Sequence, residues 1–554
     1  MSAGPLLVFG PRSATYDFGP GHPLTPRRFG PGIDLLRTVG AVPGLAPEPA
    51  ADAELGQVHT AAYLATVRRL SADPTSKSAA DLVAGFAAFG DDPPFAGMHE
   101  AAAMVAGGSL RAIEAILRGD AEHAFHPGGG LHHAMAGRAS GFCIYNDPAL
   151  AIALARQAGL RVLYVDLDVH HGDGVQALHY DDPGVLTTSI HESGRTLFPG
   201  TGFADELGEG VAAGTSVNLP LEAATGEGPW LAGVRALVPA LAAAFGPDLI
   251  VSQHGADSHA WDPLAHLRVT TTAMGEGARL VDRVAHRHAG GRWLATGGGG
   301  YDVYRVVPRT WALTWLAGAH REPPEAIDPG WRDRWSADAA AHGQDPPPST
   351  FDDVPNAGLP ESELHRLAEA RSMATIAQVR NVVLPRLLVV AEDRGWWDPL
   401  AATPAPGPQA GGAAEAAPTI IPELDADLVD RLVPAPRTMP PADPAAARQL
   451  LHTAIRDGAR ATGAVAGDRL VGVALVLPAR DGDQPDELIA LGVAPGFRRR
   501  GIATALLAAA RGYGRPVEAS VGVAERDVVE PLPGADRVAI AQHLLDRFRV
   551  PRAR

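Results

Sequence analysis

Residues 161–174 read RVLYVDLDVHHGDG, an apolar run that ends in alternating aspartate and histidine. The run predicts a buried β-strand, because a strand covered on both faces carries apolar side chains at nearly every position. Side chains two residues apart in extended backbone lie on one face, so Asp168 and His170 can bind one metal ion together. Asp166 has the same parity and is predicted to act behind them.

Four further apolar runs predict strands of the same kind, and Ala/Leu-rich stretches between them predict helices. The strands are LLVFG (6–10), VLTTSIHE (185–192), DLIVSQHGAD (248–257) and RWLATGGGG (292–300), and the helices include DPALAIALARQAG (147–159) and GPWLAGVRALVPALAAAFG (228–246). Strands that alternate with helices predict an α/β architecture with a doubly wound parallel sheet. One more amphipathic helix is predicted within 361–388.

The domain organisation follows from length and composition. At 554 residues the chain exceeds one ordinary domain. The segment TPAPGPQAGGAAEAAPT (403–419) is rich in Pro, Gly and Ala, as is typical of a flexible linker. We therefore predict a first domain over residues 1–400, a linker over 401–420 and a smaller second domain over 421–554.

The bulk composition excludes several classes of protein. The formal net charge of −16 disfavours a nucleic-acid partner, because phosphate backbones are bound by clustered basic surfaces. The single cysteine, Cys143, excludes an intrachain disulfide. The first residues, MSAGPLLVFG, lack a cationic segment before a long apolar run, and no stretch of about 18 apolar residues suggests a membrane span. We therefore expect a cytoplasmic protein with no membrane partner.

Polar residues follow the apolar runs in five segments: AFHPGGGLHH (124–133), the opening stretch, SIHES (189–193), SQHGADSHAWD (252–262) and ATGGGGYD (295–302). The carboxyl ends of parallel strands meet at one edge of a sheet, so these segments are expected to converge. Asp262 is the best candidate for a third metal ligand beside Asp168 and His170. Mixed histidine and carboxylate ligation suits a catalytic Zn²⁺, and Fe²⁺ is the alternative.

Adjacent histidines, His132 and His133, follow the glycines of HPGGG. In a loop both imidazoles can approach one water molecule, and their chemistry suits general acid and base catalysis. Asp166 and Asp173 are available to orient them. Tyr301 follows four glycines, where a flexible backbone can bring its hydroxyl to a developing oxyanion.

Together these residues resemble the zinc-dependent histone deacetylase superfamily, and within it the bacterial acetoin-utilisation members. The matching segments lie at 17–28, 90–97, 126–147, 162–176, 189–202, 252–267 and 295–309. The resemblance implies the arginase/deacetylase fold, with Asp168, His170 and Asp262 as zinc ligands. It also implies His132 and His133 as the acid/base pair and Tyr301 as the group that polarises the carbonyl.

The same resemblance implies a substrate channel and a second metal. Asp92 would hold the substrate backbone, and the channel for the acyl-lysine would be formed by Gly141, Phe142 and Phe198. Aromatic faces bury an apolar stem without demanding hydrogen bonds. A structural K⁺ would bind beside the strand that contains Asp166, together with Ser189.

The second domain contains DRLVGVALVLP (468–478) and DELIALGVAP (486–495), which predict two strands, followed by a basic turn into a helix. The stretch GVAPGFRRRGIATALL (492–507) resembles the pyrophosphate-binding motif of GNAT acetyltransferases, which implies a small α+β domain that binds acetyl-CoA. The implied cofactor contacts are Val493, Arg498, Arg499, Arg500, Gly501, Ile502 and Ala503. Glu487 is the candidate general base. The last helix, AIAQHLLDRFRV (539–550), lacks the tyrosine that many members use as general acid, so a regulatory module is the alternative.

Our hypothesis is metal-dependent hydrolysis of acetyl-lysine amides on proteins, joined to a domain that binds acetyl-CoA and can acetylate lysine. The resemblance favours acetyl-CoA synthetase as the acetylated protein substrate. One alternative is deacetylation of small acetylated amines such as acetylpolyamines. The other is a non-catalytic sensor of acylated proteins or acetyl-CoA.

Overall fold

The structure, a computed structural model, describes residues 4–396 except 77, 88–89 and 354–361, together with the backbone of five strands between residues 419 and 519. The chain divides into two compact units between Val390 and Ala391. Residues 401–418 of the predicted linker lie outside the described residues. Residues 419 and 420, the last two of the predicted linker, belong to a short strand.

The first unit is built on an eight-stranded sheet in which every neighbouring pair is parallel. Its order is β2-β1-β3-β8-β7-β4-β5-β6. The strands are β1 (Leu6–Val8), β2 (Pro43–Leu45), β3 (His123–His126), β4 (Val162–Asp166), β5 (Val185–Glu192), β6 (Ser216–Leu221), β7 (Leu249–Gln253) and β8 (Trp293–Thr296). The prediction of a parallel α/β sheet is confirmed.

Both faces of this sheet are covered. Every residue of β4 is buried, although neighbouring side chains of a strand point to opposite faces of the sheet. Side chains of α5 (Met98–Arg118) and α6 (Asp147–Gln157) form one apolar layer with two residues of β4, Val162 and Tyr164. Helix α8 (Glu227–Phe245) packs on β4 and β5. The helices are α1 (Phe29–Thr38), α2 (Asp52–Leu55), α3 (Ala61–Ala72), α4 (Ala79–Val83), α5 (Met98–Arg118), α6 (Asp147–Gln157), α7 (Asp173–Leu178), α8 (Glu227–Phe245), α9 (Thr271–His288), α10 (Val307–Gly318), α11 (Pro329–Ala341) and α12 (Glu363–Asp393).

Both edge strands were missed by the sequence patterns. Strand β2 begins at Pro43 and contains Gly44, and β6 contains Pro220. Proline has no backbone N–H to donate to the hydrogen bonds between strands, so it is tolerated at the edge of a sheet. It also weakens the apolar pattern by which a strand is predicted. The central strands β4, β5, β7 and β8 lack such interruptions, and all four were predicted.

Two helices, α8 and α12, are long and apolar enough to cross a membrane by length and composition alone. The expectation that no such stretch exists was therefore too strict. In α8, Trp230, Val234, Leu237 and Leu241 are buried within the first unit. Such burial is what a core helix of a globular fold needs, and it provides no evidence for a membrane.

The second unit contains a five-stranded sheet in the order β13-β12-β11-β10-β9. Its strands are β9 (Thr419–Ile421), β10 (Arg460–Ala466), β11 (Arg469–Leu477), β12 (Asp486–Val493) and β13 (Val517–Ala519). The pairs β9–β10, β10–β11 and β11–β12 are antiparallel, and β12–β13 is parallel. Both strands predicted for this region, β11 and β12, are present.

Candidate active site

The loop that carries the adjacent histidines is fixed by two residues at the start of α6. The Asp147 carboxylate accepts hydrogen bonds from the backbone N–H groups of Gly130 (3.0 Å) and Leu131 (2.8 Å). The side chain of Asn146 donates to the backbone carbonyl of His132 at 3.1 Å. A glycine-rich loop would otherwise be free to move, so these contacts hold the imidazoles in one position.

Each of the two histidines is paired with its own carboxylate. Nδ1 of His132 lies 2.7 Å from Oδ2 of Asp166, and Nδ1 of His133 lies 2.7 Å from Oδ1 of Asp173. Tyr164 also donates its hydroxyl to Asp166 at 2.7 Å. The two Nε2 atoms lie 3.0 Å apart, so both face the same small space between the two rings. The structure thus brings together the four residues predicted for acid and base work.

The two imidazoles differ in pKa because their surroundings differ. Burial lowers the pKa of His132, but the Asp166 and Asp168 carboxylates outweigh this effect and raise it to about 9. Burial and the neighbouring His132 lower the pKa of His133 to about 4, despite the Asp173 carboxylate. The carboxylates thus favour the proton on His132 over His133, and an acid/base pair uses a difference of this kind.

Metal-binding side chains converge next to this pair. Nδ1 of His170 lies 3.1 Å from Oδ1 of Asp168 and 3.2 Å from Oδ2 of Asp257. One ligand atom from each of the three residues lies within 4.8 Å of the others. Both carboxylates are almost fully buried, where two negative charges are costly without a cation. One nitrogen and two oxygen donors in this arrangement fit a divalent ion such as Zn²⁺.

The predicted third ligand, Asp262, is not in this group. Its Oδ1 accepts from the N–H of Leu264 at 3.0 Å, and its Oδ2 accepts from the N–H of Tyr301 at 2.9 Å. Asp257 follows the end of β7 by four residues, whereas Asp262 follows it by nine and lies beyond a turn. Asp262 is nevertheless buried beside the group, because burial and the Asp257 carboxylate raise its pKa well above the ordinary value and His170 acts to lower it. Asp257 therefore joins the candidate donors, and Asp262 stays a predicted ligand.

The glycine-rich loop after β8 approaches the same group closely. Gly299 donates its backbone N–H to Oδ2 of Asp168 at 2.9 Å. A Cβ at Gly299 would lie 1.9 Å from Oδ2 of Asp257, so only glycine fits there. Tyr301 follows two residues later, and burial together with Asp257 and Asp168 raises its pKa well above the ordinary value. The phenol is therefore a hydrogen-bond donor at neutral pH.

Aromatic rings surround the approach to these residues. The ring of Phe198 lies 5.0 Å from that of His133, and the ring of Phe142 lies 5.9 Å from that of Tyr301. A Cβ at Gly141 would lie 2.4 Å from the His133 ring, so glycine is needed between them. Asp92 is buried, and its Oδ1 has no hydrogen-bond partner among the described residues. That oxygen is an acceptor without a donor.

In the second unit, Glu487 is the second residue of β12 and Val493 is its last. The remaining predicted cofactor contacts, Arg498, Arg499, Arg500, Gly501, Ile502 and Ala503, lie outside the described residues.

Paired imidazoles that can accept and return protons, next to a buried set of metal donors, suit the attack of water on an amide. A parallel sheet with this chemistry at its carboxyl edge is the architecture of a deacetylase-type hydrolase. Residues 22–317 match the histone deacetylase domain, and residues 427–528 match the acetyltransferase (GNAT) family. The chain belongs to the histone deacetylase family and carries a C-terminal GNAT domain.

Similar proteins share the first unit. The acetoin utilization protein AcuC of Bacillus subtilis is 45% identical over 335 residues, which cover 60% of this chain and 86% of the relative. AcuC of Staphylococcus xylosus is 37% identical over 326 residues, covering 58% and 84%. Two solved structures of HDAC homologs, one complexed with SAHA and one from Aquifex aeolicus, align with TM-scores of 0.60 and 0.58. Their identities are 26% and 27%, and the alignments cover 68% and 67% of this chain and all of each homolog.

Several supporting residues were not found by sequence reasoning. Asn146 and Asp147 hold the histidine loop, Tyr164 supports Asp166, and the Gln253 side chain donates to Asp168 at 2.6 Å. Two of them had a sequence signal: Gln253 is the last residue of an apolar strand and so stands at the carboxyl edge, and Tyr164 lies two residues before Asp166 on the same face of β4. Asn146 and Asp147 act across longer sequence distances that no local pattern records.

Proposed function

We propose that the first unit hydrolyses the amide of acetyl-lysine in proteins. The observation that carries the proposal is the pair His132–Asp166 and His133–Asp173, whose Nε2 atoms share one space beside the Asp168, His170 and Asp257 donors. Hydrolysis of an amide needs a base for water and an acid for the amine, and two separately oriented imidazoles supply both.

The chain's own residues account for each proton. One Nε2 of the histidine pair accepts a proton from the attacking water, and the other donates a proton to the departing lysine amine. Asp166 and Asp173 keep each Nδ1 protonated, so that Nε2 is the atom that exchanges the proton. Tyr301 donates its hydroxyl to the oxygen of the former carbonyl as negative charge develops there.

Asp168 and His170 would hold a Zn²⁺ or Fe²⁺ ion together with a carboxylate of the loop after β7, either Asp262, as the sequence predicts, or Asp257, which lies in the donor group. The ion supplies Lewis-acid polarisation when bound. We also propose a structural K⁺ beside β4. What supports this second ion is the sheet register, in which Asp166 lies opposite Ser189 of β5.

The surroundings of the site favour a long, apolar substrate stem. Phe142 and Phe198 present aromatic faces, which can bury the methylene groups of lysine. The unpartnered Oδ1 of Asp92 is available to accept a backbone N–H of a peptide. A peptide offers that donor, and a small acetylated amine has no backbone amide to fill it. We therefore favour a cytoplasmic protein substrate such as acetyl-CoA synthetase.

For the second unit we propose acetyl-CoA binding and, through it, transfer of acetyl to lysine. Support comes from the family match over 427–528 and from the position of Glu487 at the start of β12. One chain would then both remove acetyl groups and attach them.

Acetate release from acetyl-lysine peptides and from acetylated polyamines tests the substrate. We expect the zinc-loaded full chain to release acetate from peptides, and Tyr301→Phe to lower kcat by about 10²–10³-fold. Tyr304→Phe is the matched control, because the hydroxyl of Tyr304 donates to Asp338 at 2.6 Å instead. Faster release from polyamines would support the small-amine alternative. Full activity of Tyr301→Phe would contradict the proposed mechanism.

A further inference from the structure

A second group of metal-binding side chains lies at the opposite end of the sheet. His123, Asp282, His286 and His320 each direct one ligand atom to a common point, and all four atoms lie within 4.8 Å of one another. We call these four residues the amino-edge cluster. His123 is the first residue of β3 and is paired with Trp293, the first residue of β8. The length of a strand, about 10–15 Å, therefore separates the cluster from the candidate active site.

Three elements supply the four side chains. Asp282 and His286 are one turn apart on α9, so their side chains lie on the same face of the helix. His320 follows the end of α10 and has a φ of 54°, a strained value for a non-glycine residue. His123 is almost fully buried at the start of β3. Residues so far apart in the sequence form no local pattern, so the cluster is visible only in the folded chain.

The distances within the amino-edge cluster match those between ligands of a tetrahedral ion. Nε2 of His286 lies 3.1 Å from Nε2 of His123 and 3.0 Å from Nε2 of His320. Oδ1 of Asp282 lies 3.2 Å from His320, 3.5 Å from His286 and 3.6 Å from His123. Four ligands at the usual zinc distances of about 2.0–2.1 Å stand about 3.3–3.4 Å apart. Of the five distances given above, three are slightly shorter than this separation and two are slightly longer.

Hydrogen bonds alone do not satisfy this arrangement well. A neutral imidazole has one N–H and one lone pair, and here three Nε2 atoms face one another. Each Nε2 carries one hydrogen or one lone pair, so the Nε2 of His286 can form a well-directed hydrogen bond to His123 or to His320 but not to both. A divalent cation accepts all three lone pairs and the Asp282 oxygen at once. Imidazole and carboxylate are also the ligand types that Zn²⁺ prefers.

We propose that the amino-edge cluster binds a structural Zn²⁺ ion. Three histidines and one aspartate complete a tetrahedron, so no open position is left for a substrate. The ion would join the start of β3, the last turns of α9 and the residue after α10. Nδ1 of His123 has no partner among the described residues. Since metal-bound histidines usually donate their second N–H to an acceptor, the affinity should be lower than in a fully supported site.

Zinc stoichiometry of the full chain tests the proposal. After removal of metals and dialysis against ZnCl₂, we expect the double variant His286→Ala/His320→Ala to retain one zinc per chain fewer than the wild type. His288→Ala is the matched control, because it removes a histidine of the same helix outside the cluster and should leave the stoichiometry unchanged. The test compares metal content only, so it is independent of the activity of the first site.

A spectroscopic measurement guards against misfolding of the variant. Co²⁺ bound to the amino-edge cluster should give the visible absorption of a tetrahedral centre in the wild type and in His288→Ala. That contribution should be lost in the double variant, while circular dichroism and acetate release stay unchanged. Equal zinc content in the wild type and in a folded double variant would overturn the proposal, and so would Co²⁺ spectra that do not differ.

Discussion

The two groups of metal-binding side chains sit at opposite edges of one sheet and differ in how they are built. At the carboxyl edge, Asp168, His170 and Asp257 are three buried donors on loops that follow strands. At the amino edge, two of the four donors, His286 and His320, have side chains that are 37% and 41% exposed. Three donors leave positions open for chemistry, whereas four donors complete a tetrahedral shell.

Only the donors at the carboxyl edge are surrounded by groups suited to catalysis. The ligand types are alike, and only the carboxyl-edge donors stand next to the paired histidines and Tyr301. Around them, Gln253 and the N–H of Gly299 both donate to Asp168. Such supporting bonds fix the ligands in place, which is what a reactive site requires and a structural site needs less. Substitutions at the two edges should therefore separate activity from stability.

The largest effect should come from Asp257→Ala. Loss of one of three ligands leaves Asp168 and His170 to hold the ion, and Lewis-acid stabilisation is worth several kcal/mol, so hydrolysis should fall by at least about 10³-fold. Metal content at this site should fall with it. The measurement is acetate release together with metal analysis of the same sample. A variant that keeps both activity and metal would remove Asp257 from the ligand set.

A smaller effect is expected from Asp262→Asn. This residue accepts the N–H of Tyr301, so the amide could present its NH₂ group to that N–H and shift the tyrosine. Residues that position catalytic groups typically cost about 10–100-fold in activity when changed. We expect kcat to fall by that amount while metal content stays at the wild-type value. Loss of the metal in Asp262→Asn would instead show that Asp262 is a ligand, as the sequence predicts.

The loop that carries Asp257 and Asp262 shows what the sequence could and could not predict. The central strands and the pair Asp168 and His170 followed from local periodicity, because spacing along one strand determines the face on which a side chain lies. The choice between two aspartates in one loop depends on the path of that loop, which periodicity does not describe. The amino-edge cluster depends on three elements that meet only in the folded chain, so no sequence pattern indicated it.

The smallest effect on activity should come from Asp282→Asn at the amino edge. Its Oδ1 lies within 3.6 Å of three imidazoles, and the substitution keeps the shape of the side chain while removing its charge. Acetate release should stay within about twofold of the wild type, because the site of hydrolysis is about 10–15 Å away along the sheet. In zinc the melting temperature should fall by a few degrees, since an ion that binds only the folded state stabilises it.

A chelator separates the two explanations of that fall. If zinc is the cause, the wild type and Asp282→Asn should melt at the same temperature once the metal is removed, because the difference between them was the bound ion. If hydrogen bonds from the histidines to Asp282 are the cause, the difference should persist in chelator. A difference that persists in chelator would mean that Asp282 stabilises the fold without a metal. A twofold or greater loss of hydrolysis would mean that the amino edge contributes to the active site. Either result would contradict the contrast between the two edges.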